Sequence, residues 1–598
     1  MECRDLTLAI VGSGGDGVVS AGEIIVKAAA AEGLHCFLLK SFGPQIRGGE
    51  SSCKIRLAVE PLLSIGEETQ ILLCYSWGDY KRFTEEIRLA KNAVIISDTD
   101  DKVGDEDLPI EILGSQTWIK VPLNQLASVE VGNALTKNIV SLGVLEGFFR
   151  LPEKGIAGQI EKRFSKKKAD LIELNLGAIA VGRKWAEDYE RDFQPELPRF
   201  AEFTPCEPNL VLSGNEAAAM GALWSGLKFF SGYPITPATD IMEWLEKRLP
   251  RFDGTMIQAE DEIASCGMAI GASFAGVKSM TATSGPGISL MSEMIGLACM
   301  AEIPLVVINV QRGGPSTGMP TQTSQSDLLQ ACYCTHGDAP HVVLAATDVK
   351  DCAFTMTQAF YISEKYQLPV LVLLDQFVGQ RVESVPRREL LETGIEQGWI
   401  RRCDRLTPDP AALAENRYHR YQLTENGVSP MSFPGIENAD YIASGIEHNE
   451  LGYPVSHVGI HRTMHGKRYR KLDFIKEEMK FMRHYGDPQA RIGILCWGSS
   501  KGPARQAMLQ AEAAGIATRM LIPSCLMPLH SETVQEFIDA CDKVIVADSS
   551  YSAQFLTYLR TQVVLPPAKL VDLHFVDGMP LPVKELKAKI EEVHHELA

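Results

Sequence analysis

The stretch SGYPITPATD, residues 231–240, combines a hydroxyl side chain with a rigid backbone. Pro234 and Pro237 bracket Ile235 and Thr236, and each proline keeps the residue before it out of the helical region. The following ATDIMEWLEKRL is typical of a helix with Pro237 near its first turn. Catalytic groups must be held nearly fixed, so Thr236 is a candidate site residue. The alternative is a turn that only joins a strand to a helix.

A second candidate lies in EDEIASCGMAIGASFAG, where three acidic residues precede a helix built largely of small residues. Acids in a first helical turn suit the helix dipole, which is enough to explain Glu260 and Asp261. So many small residues let a flat ligand or another backbone come close, and Glu262 could then act on a bound nitrogen. TATSGPG, residues 281–287, is a further glycine–proline turn before a helix, and we expect it to line a ligand.

The N-terminal pattern over residues 5–60 predicts strand, glycine-rich turn, helix, strand, strand. The turn GSGGDG could bring backbone N–H groups to a diphosphate at a helix start. An NAD site would need an acidic residue after the next strand, where this chain has Lys40 and Ser41. NAD binding is therefore disfavoured. Lys40 and Arg47 suit a ligand with phosphates, although a solvated basic loop is the alternative.

The composition of the 598-residue chain excludes several classes of protein. A net charge of -18 argues against nucleic-acid binding. No apolar run reaches the roughly 18 residues of a membrane span, and no signal peptide is evident, so we expect a cytoplasmic protein. The 14 cysteines are scattered without a C-x-x-C pair, so we expect no metal site and mostly buried thiols in a reducing compartment.

Alternating strands and helices predict an α/β fold with several doubly wound domains. The acidic, proline-rich residues 190–210 predict a linker. We expect domains over 1–189, 211–395 and 486–598, with a connector over 396–485. The basic run at 467–471 predicts a solvated face or, alternatively, a contact for a partner such as an acidic ferredoxin.

Four segments together resemble one family: SGYPITPATDI, EDEIASCGMAIGASFAG, TATSGPGISLMSE and QRGGPSTGMPTQTSQSDLL. They are similar to the alpha subunit of thiamine-diphosphate-dependent 2-oxoacid:ferredoxin oxidoreductases. GSGGDGV and FGPQIRGGES resemble the gamma domain of that family, here fused in front. Residues 491–529 resemble its transketolase C-terminal-like domain. The segment RGGPSTGMPTQTSQSDL is most similar to the 2-oxoglutarate branch.

The resemblance implies roles for the domains and for particular residues. Residues 1–189 would be the gamma-like domain on the coenzyme A side, and 211–395 the thiamine pyrimidine-binding domain. Glu262 matches the glutamate that hydrogen-bonds the aminopyrimidine, with Glu260 as the alternative. Thr236 and Arg312 match substrate-binding positions. The other implied positions are Thr321 for a second substrate carboxylate, Tyr233, Pro234, Ile235, Ser284 and Gly285 for the thiamine cofactor, and Gly14, Gly15, Gly17, Ser41 and Arg47 for coenzyme A.

The resemblance also implies that this chain needs a partner. In the family, a G-D-G motif followed by an asparagine holds the diphosphate through magnesium, and here the only G-D-G, Gly15 to Gly17, is in the wrong domain. We therefore expect a beta subunit with the magnesium site and a 4Fe-4S cluster, in an α2β2 heterotetramer that uses ferredoxin. Near the C-terminus, Asp548 and Ser550 depart from the family's usual Glu-x-Asn.

The expected reaction converts 2-oxoglutarate, coenzyme A and oxidised ferredoxin to succinyl-CoA, carbon dioxide and reduced ferredoxin, or runs in reverse. Pyruvate, branched-chain oxoacids and indolepyruvate are alternative substrates. A catalytically silent scaffold subunit and an NAD-dependent dehydrogenase are the competing classes of function.

Overall fold

The computed structural model describes residues 2–43, 49–101, 116–165, 169–415, 418–479 and 482–597. The chain divides into two compact units. The first comprises Met1–Leu212 with Arg381–Leu391, and the second comprises Ser213–Gln380 with Glu392–Ala598. Within the described ranges, no helix has the length and apolar character that crossing a bilayer requires.

The N-terminal part of the chain forms nine strands and six helices among the described residues. They are β1 (Glu2–Cys3), β2 (Asp5–Ser13), α1 (Val18–Ala31), β3 (His35–Phe42), β4 (Glu50–Ala58), β5 (Glu68–Cys74), α2 (Trp77–Tyr80), β6 (Arg88–Asp98), β7 (Thr117–Val121), α3 (Leu123–Gln125), α4 (Lys137–Phe149), α5 (Glu153–Phe164), α6 (Ala169–Phe193), β8 (Arg199–Phe200) and β9 (Leu210–Ser213).

The described remainder of the chain continues the alternation of helices and strands. Its elements are α7 (Gly214–Trp224), β10 (Phe229–Gly232), α8 (Thr239–Glu246), β11 (Thr255–Gln258), α9 (Glu262–Phe274), β12 (Ser279–Thr283), α10 (Gly285–Met300), β13 (Leu305–Gln311), α11 (Leu328–Cys332), β14 (Val342–Ala345), α12 (Val349–Tyr366), β15 (Pro369–Asp375), α13 (Gln376–Gln380), β16 (Val382–Val385), α14 (Gly394–Glu396), α15 (Pro410–Glu415), α16 (Val458–Glu478), β17 (Met482–Gly486), β18 (Ile492–Leu495), α17 (Lys501–Ala513), β19 (Thr518–Pro523), β20 (Cys525–Met527), α18 (Ser531–Asp539), β21 (Lys543–Asp548), α19 (Gln554–Gln562), β22 (Leu570–His574) and α20 (Val583–Leu597).

The first unit is built on an eight-stranded sheet in the order β7-β6-β5-β2-β4-β3-β16-β9. The predicted strand, turn, helix, strand, strand over residues 5–60 is confirmed as β2, α1, β3 and β4. The strands β2 and β3 are not neighbours, because β4 lies between them and is antiparallel to both. The parallel β-α-β crossover of a dinucleotide-binding site is therefore not formed here.

The segment predicted to be a linker, residues 190–210, packs within the first unit. Its first residues continue α6 as far as Phe193, and β8 pairs in parallel with β1. The Asn209 side chain then donates to the carbonyls of Gly33 and Leu34 at 3.1 and 3.0 Å. These hydrogen bonds leave little free length in the segment, and the two units divide after Leu212.

The second unit contains a seven-stranded sheet in the order β11-β10-β12-β13-β15-β14-β20. Its central strands read SMTAT, LVVINVQ and PVLVLLD and are buried throughout, as expected for parallel strands covered on both faces. From β10 the chain moves first to β11 on one side and then to β12 on the other. The order therefore reverses between β10 and β12, and ligands of open α/β sheets bind at such a switch point.

The C-terminal part of the second unit forms a five-stranded sheet, β17-β19-β18-β21-β22. The strand β20 leaves this region and pairs antiparallel with β14 at the edge of the seven-stranded sheet. Trp497 and Phe555 from the C-terminal part share a hydrophobic core with Ile295 from α10. The division of this unit into a domain at 211–395, a connector at 396–485 and a domain at 486–598 stays a prediction.

The basic run at 467–471 is not a solvated face, which corrects that expectation. Lys467 and Lys471 are 0% and 1% exposed on α16. Both ammonium groups contact the buried carboxylate of Glu302, with N–O distances of 2.6 Å. Arg420 donates to the Glu302 carbonyl at 2.7 Å. The two lysines meet one carboxylate because they lie one turn apart on the same helix, which a linear charge pattern does not reveal.

This cluster shifts the pKa values of its members. Burial alone would raise the pKa of Glu302, but the charges of Lys467, Lys471 and Arg420 outweigh it and hold that pKa well below its ordinary value. Burial lowers the pKa of Lys467 to about 7, against the attraction of Glu302. Glu302 therefore fastens α16 to the end of α10, as the only carboxylate that contacts these two lysines within the described residues.

Replacing Glu302 by glutamine is expected to destabilise the second unit by about 3–5 kcal/mol, because two buried ammonium groups lose their counter-charge. The matched control is Glu532→Gln, which removes the carboxylate of a largely exposed pair with Lys476 at 2.8 Å. That change should cost less than about 1 kcal/mol. Chemical denaturation followed by circular dichroism measures both, and equal losses would contradict the role given to Glu302.

Candidate active site

The predicted site residues of the central region lie at one edge of the seven-stranded sheet. Thr236 follows β10, Ser284 follows β12, and Arg312 follows β13 directly. These strands are parallel neighbours in the order β10-β12-β13, so their carboxyl ends point the same way. Three segments far apart in sequence therefore meet at the switch point of the sheet.

Thr236 and Arg312 are in direct contact. The Arg312 Nη1 donates to the backbone carbonyl of Thr236 at 2.5 Å, although the threonine side chain itself is exposed. Arg312 is only 6% exposed, and its Nε has no hydrogen-bond partner within the described residues. Burial lowers the pKa of Arg312, and the charge of Asp327 opposes this shift. The proline-bracketed turn thus orients the arginine through its backbone.

Glu262 is the first residue of α9 and is 5% exposed. Asp261 is the N-cap, and its side chain accepts a hydrogen bond from the Ala264 amide at 2.7 Å. Glu260 is exposed, whereas the Glu262 carboxylate is buried without a hydrogen-bond partner in the described part of the chain. The three consecutive acids therefore differ, and only Glu262 is both buried and available to a ligand.

The side chain of Glu262 reaches the first turn of α10 because Gly287 has no side chain. A Cβ on Gly287 would lie 1.9 Å from Thr283 Oγ1 and 2.8 Å from Glu262 Cγ. The neighbouring Ser284 hydroxyl is fully buried and has no partner within the described residues. The glycine–proline turn thus brings an unpaired hydroxyl and an unpaired carboxylate to the same place.

The structure adds Asp327, which the sequence reasoning missed. Its carboxylate accepts a hydrogen bond from Asn309 Nδ2 at 3.0 Å and packs against Gly285, whose absent Cβ would lie 2.7 Å from it. Burial raises the pKa of Asp327, while Asn309 and Arg312 oppose the shift. Asp327 stands in QSDLL, and an acid directly before the apolar start of α11 was the available signal.

A cleft of about 590 Å³ opens beside these residues. Its walls come from the loops after β12 and β13 and from two C-terminal segments. The lining residues are Gly285, Pro286, Ser289, Arg312, Gly313, Gly314, Pro315, Ser316, Met319, Thr323, Ser324, Ser326, Asp327, Gln330, Ser549, Tyr551, Ser552, Gln554, Phe575, Val576, Asp577, Gly578 and Met579.

Hydrogen bonds between backbones join the two walls of the cleft. Thr323 donates to the Gly578 carbonyl at 3.2 Å, and Gln325 donates to the Ser549 carbonyl at 2.8 Å. The predicted Thr321 lies in the same loop but does not line the cleft, whereas Thr323 does. The C-terminal segments are therefore part of the cleft, which their sequence did not indicate.

Asp548 and Ser550, which differ from the Glu-x-Asn of the resembling family, support this C-terminal wall but do not line the cleft. Asp548 is 1% exposed and accepts from the Ser550 hydroxyl at 2.6 Å and from the Phe555 amide at 3.0 Å. Burial raises the pKa of Asp548, and these hydrogen bonds oppose the shift. They hold the turn that carries Tyr551, which is 79% exposed.

The remaining predicted positions after β10 lie at the same sheet edge. Tyr233 is 41% exposed, and Pro234 and Ile235 are half-buried. The Ile235 carbonyl accepts from the amides of Ala238 and Thr239 at 2.8 and 3.1 Å, which starts α8. The turn is thus fixed at both ends, with an aromatic side chain open to a ligand or partner.

The predicted phosphate-binding positions lie in the first unit. The Gly14 amide donates to the Gly49 carbonyl at 2.8 Å, and the Ser13 amide donates to Asp16 Oδ2 at 2.8 Å. The Ser13 hydroxyl donates to Asp79 at 2.6 Å. Two carboxylates therefore lie at this turn, and they fit a phosphate poorly.

Gly15 has open space beside it at φ 123°, whereas a Cβ on Gly17 would meet Asn138 at 2.4 Å. Lys40 pairs with Glu23 at 2.6 Å, and Ser41 stands opposite Ser52 on β4. Arg47 lies outside the described residues.

Most of the cysteines are buried and none is in a disulfide.

Comparison with known proteins gives a consistent family. Residues 220–461 match a family model described as pyruvate flavodoxin/ferredoxin oxidoreductase, thiamine diP-binding, and residues 7–185 match one described as pyruvate ferredoxin/flavodoxin oxidoreductase. Subunit alpha of 2-oxoacid:ferredoxin oxidoreductase 2 from Aeropyrum pernix is 29% identical over 98% of each chain. The 2-oxoglutarate synthase subunit KorA from Archaeoglobus fulgidus is 36% identical over 56% of this chain and 87% of its own.

A solved structure covers almost the whole chain. It is the 2-oxoglutarate:ferredoxin oxidoreductase from Magnetococcus marinus with 2-oxoglutarate, coenzyme A and succinyl-CoA bound. The identity is 34% and the TM-score 0.90, over 99% of this chain and 100% of that one. The two folds therefore correspond over the entire described architecture.

The position of Gly287 generates a stability test. Gly287→Ala should destabilise the second unit by about 1–3 kcal/mol, because the new methyl group must displace Thr283 and Glu262. The matched control is Gly296→Ala on the same helix, whose Cβ would meet nothing nearer than 3.8 Å. That variant should be unchanged or gain up to about 1 kcal/mol. Calorimetry compares them, and an unaffected Gly287→Ala protein would show that Glu262 does not pack there.

Proposed function

The chain belongs to the 2-oxoacid:ferredoxin oxidoreductase family, and we propose that it is the fused gamma–alpha subunit of an enzyme acting on 2-oxoglutarate. With coenzyme A and oxidised ferredoxin this enzyme forms succinyl-CoA, carbon dioxide and reduced ferredoxin, or it carries out the reverse carboxylation. The proposal draws on the Magnetococcus marinus enzyme, which was solved with 2-oxoglutarate and succinyl-CoA bound.

The observation that carries the proposal is the placement of Arg312. It is the one cationic side chain among the described residues that line the cleft. Its guanidinium is buried and is held on one side by the Thr236 carbonyl. A planar fork fixed in this way is suited to a carboxylate, which every 2-oxoacid carries next to its keto carbon. We assign Thr236 and Arg312 to the oxoacid and propose Thr321 for its second carboxylate.

The residues at the switch point fit thiamine diphosphate, which when bound supplies the nucleophilic carbon for decarboxylating a 2-oxoacid. Glu262 is a buried carboxyl group with no protein partner in the described structure, so it is available to share a proton with a ring nitrogen. Ser284 adds an unpaired buried hydroxyl, and Gly285 leaves room for the Asp327 carboxylate next to it. Tyr233, Pro234 and Ile235 are the other residues proposed to hold the cofactor.

The central region of this sequence has no G-D-G motif, and the chain has no C-x-x-C pair. Both features are therefore expected in a partner chain. We propose a beta subunit that carries the magnesium–diphosphate site and a 4Fe-4S cluster, with ferredoxin as the redox partner and two copies of each chain. Coenzyme A would bind through the first unit. Gly15 is the most open of the proposed positions there, and Gly14, Gly17, Ser41 and Arg47 complete the proposed set.

Pyruvate is the second candidate substrate, because both matching family models are named for the pyruvate enzyme. Branched-chain oxoacids are a weaker alternative. The cleft lining offers a polar substrate several hydroxyl groups, including those of Thr323, Ser324 and Ser326. A silent scaffold subunit is disfavoured, because a scaffold has no need of a buried hydroxyl and a buried guanidinium nitrogen that both lack a partner within the described residues.

The catalytic test compares Glu262→Gln with Glu260→Gln in this chain co-expressed with its partner. We expect Glu262→Gln to lower kcat by at least 100-fold, because an amide cannot exchange a proton with a ring nitrogen as a carboxyl group can. Glu260→Gln should stay within about twofold, since Glu260 is exposed. Anaerobic viologen reduction with 2-oxoglutarate or pyruvate, with and without coenzyme A, gives the rates. A loss of activity in the Glu260→Gln variant alone would assign the catalytic role to Glu260 instead of Glu262. A higher rate with pyruvate than with 2-oxoglutarate would contradict the proposed substrate.

The substrate-binding test is Arg312→Lys. Lysine keeps the charge but loses the planar fork, so KM for 2-oxoglutarate should rise about tenfold, which corresponds to roughly 1.4 kcal/mol. Arg251→Lys, at an exposed arginine of the same unit, serves as the control and should be indistinguishable from the unaltered protein. An unchanged KM in Arg312→Lys would mean that the carboxylate binds elsewhere.

A further inference from the structure

A second cluster of chemically active side chains lies away from the cleft, between α16 and the segment before it. His461 and His465 are one helical turn apart, with ring centroids separated by 5.0 Å. Glu447 from the preceding segment approaches them, and one donor atom from each of the three lies within 4.8 Å of the others. Across the described ranges, no other group of three or more His, Cys, Asp or Glu donors comes this close together.

Glu447 is held in place before any ligand arrives. The Val455 amide donates to its carbonyl at 2.9 Å, next to a bridge between His448 and Pro454. Arg468, one turn after His465, donates to both carboxylate oxygens of Glu447, at 3.1 and 2.8 Å. Oriented carboxylates of this kind are typical of metal ligands, whose outer partners fix their geometry.

The two imidazoles are also in suitable positions. His461 is exposed, so an ion and its waters can reach it, and its Nδ1 is 2.6 Å from Glu447 Oε2. The His465 ring stacks on Tyr469 with centroids 5.7 Å apart. The α-helical i, i+4 spacing presents both rings to one side, where the Glu447 carboxylate lies.

We propose that Glu447, His461 and His465 bind a divalent transition metal of the zinc class, with water completing the coordination. Two imidazoles and one carboxylate are the donor set that such ions prefer, whereas magnesium and calcium favour oxygen ligands alone. On binding, the proton on His461 Nδ1 moves to Nε2, or to water when both ring nitrogens carry a proton, so that Nδ1 and the Glu447 carboxylate can both coordinate the ion. None of the three residues lines the cleft, so this site is independent of the proposed catalysis.

The charge of Arg468 limits the affinity without preventing binding. Arg468 neutralises part of the Glu447 carboxylate, so the ion meets less negative charge than it would beside a free glutamate. We therefore expect an exchangeable ion. The ion would tie the first half of α16 to residues 446–455, on the helix whose later turns hold Glu302.

The test uses Co²⁺ alone as the probe, on the full chain after chelator treatment and gel filtration. Its absorption spectrum separates a nitrogen–oxygen site from thiolate binding, which matters because the chain has 14 free cysteines. The unaltered protein should take up one equivalent without a thiolate charge-transfer band. The His461→Ala/His465→Ala double variant should lose that equivalent, and His465→Gln should weaken it at least tenfold.

The matched control is the His594→Ala/His595→Ala double variant, which removes another exposed histidine pair on a helix, with ring centroids 6.0 Å apart. It should retain the bound ion. Circular dichroism in the absence of metal confirms that each variant is folded. Equal uptake by the two double variants, uptake with thiolate character only, or no uptake by the unaltered chain would each overturn the proposal. None of these outcomes bears on the Glu262 and Arg312 tests.

Discussion

The parallel register of β10, β12 and β13 is the constraint on which the candidate site depends. Main-chain hydrogen bonds set these strands side by side, and their carboxyl ends deliver Thr236, Ser284 and Arg312 to one edge. Reversal of the strand order between β10 and β12 opens a space there that the strands themselves do not fill. The groups that stay buried and unpaired at this edge, the Ser284 hydroxyl and the Arg312 Nε, are those a ligand would satisfy.

Two glycines at this edge make room for acidic side chains because they have no Cβ atom. Gly285 and Gly287 begin α10, and the absence of Cβ atoms lets Asp327 and Glu262 pack against the helix start. An acid held in this way is buried at a cost that folding alone does not explain, because buried polar groups normally find partners. The stability given up at these positions is consistent with a site whose partners arrive with substrate and cofactor.

The second unit is held together by polar contacts as well as by its core. Glu302 draws Lys467 and Lys471 inward, and backbone hydrogen bonds from Thr323 and Gln325 join the central loop to the C-terminal segments. These contacts attach α16 and the C-terminal segments to the region that carries the site. The helix α16, whose basic run was predicted to be solvated, is anchored to Glu302 by buried ion pairs. The same helix carries two of the proposed metal ligands, His461 and His465.

The sequence by itself determined the α/β class, the strand, turn, helix, strand, strand of the N-terminal region, the family, and which loops carry the candidate residues. Those properties follow from local periodicity, turn chemistry and short motifs. Only the tertiary structure decided that β3 is not beside β2, that Asp327 and the 549–579 region enter the cleft, and that Lys467 is buried. These depend on strand order and on side chains from distant segments meeting, and no local pattern encodes which partners a residue will find.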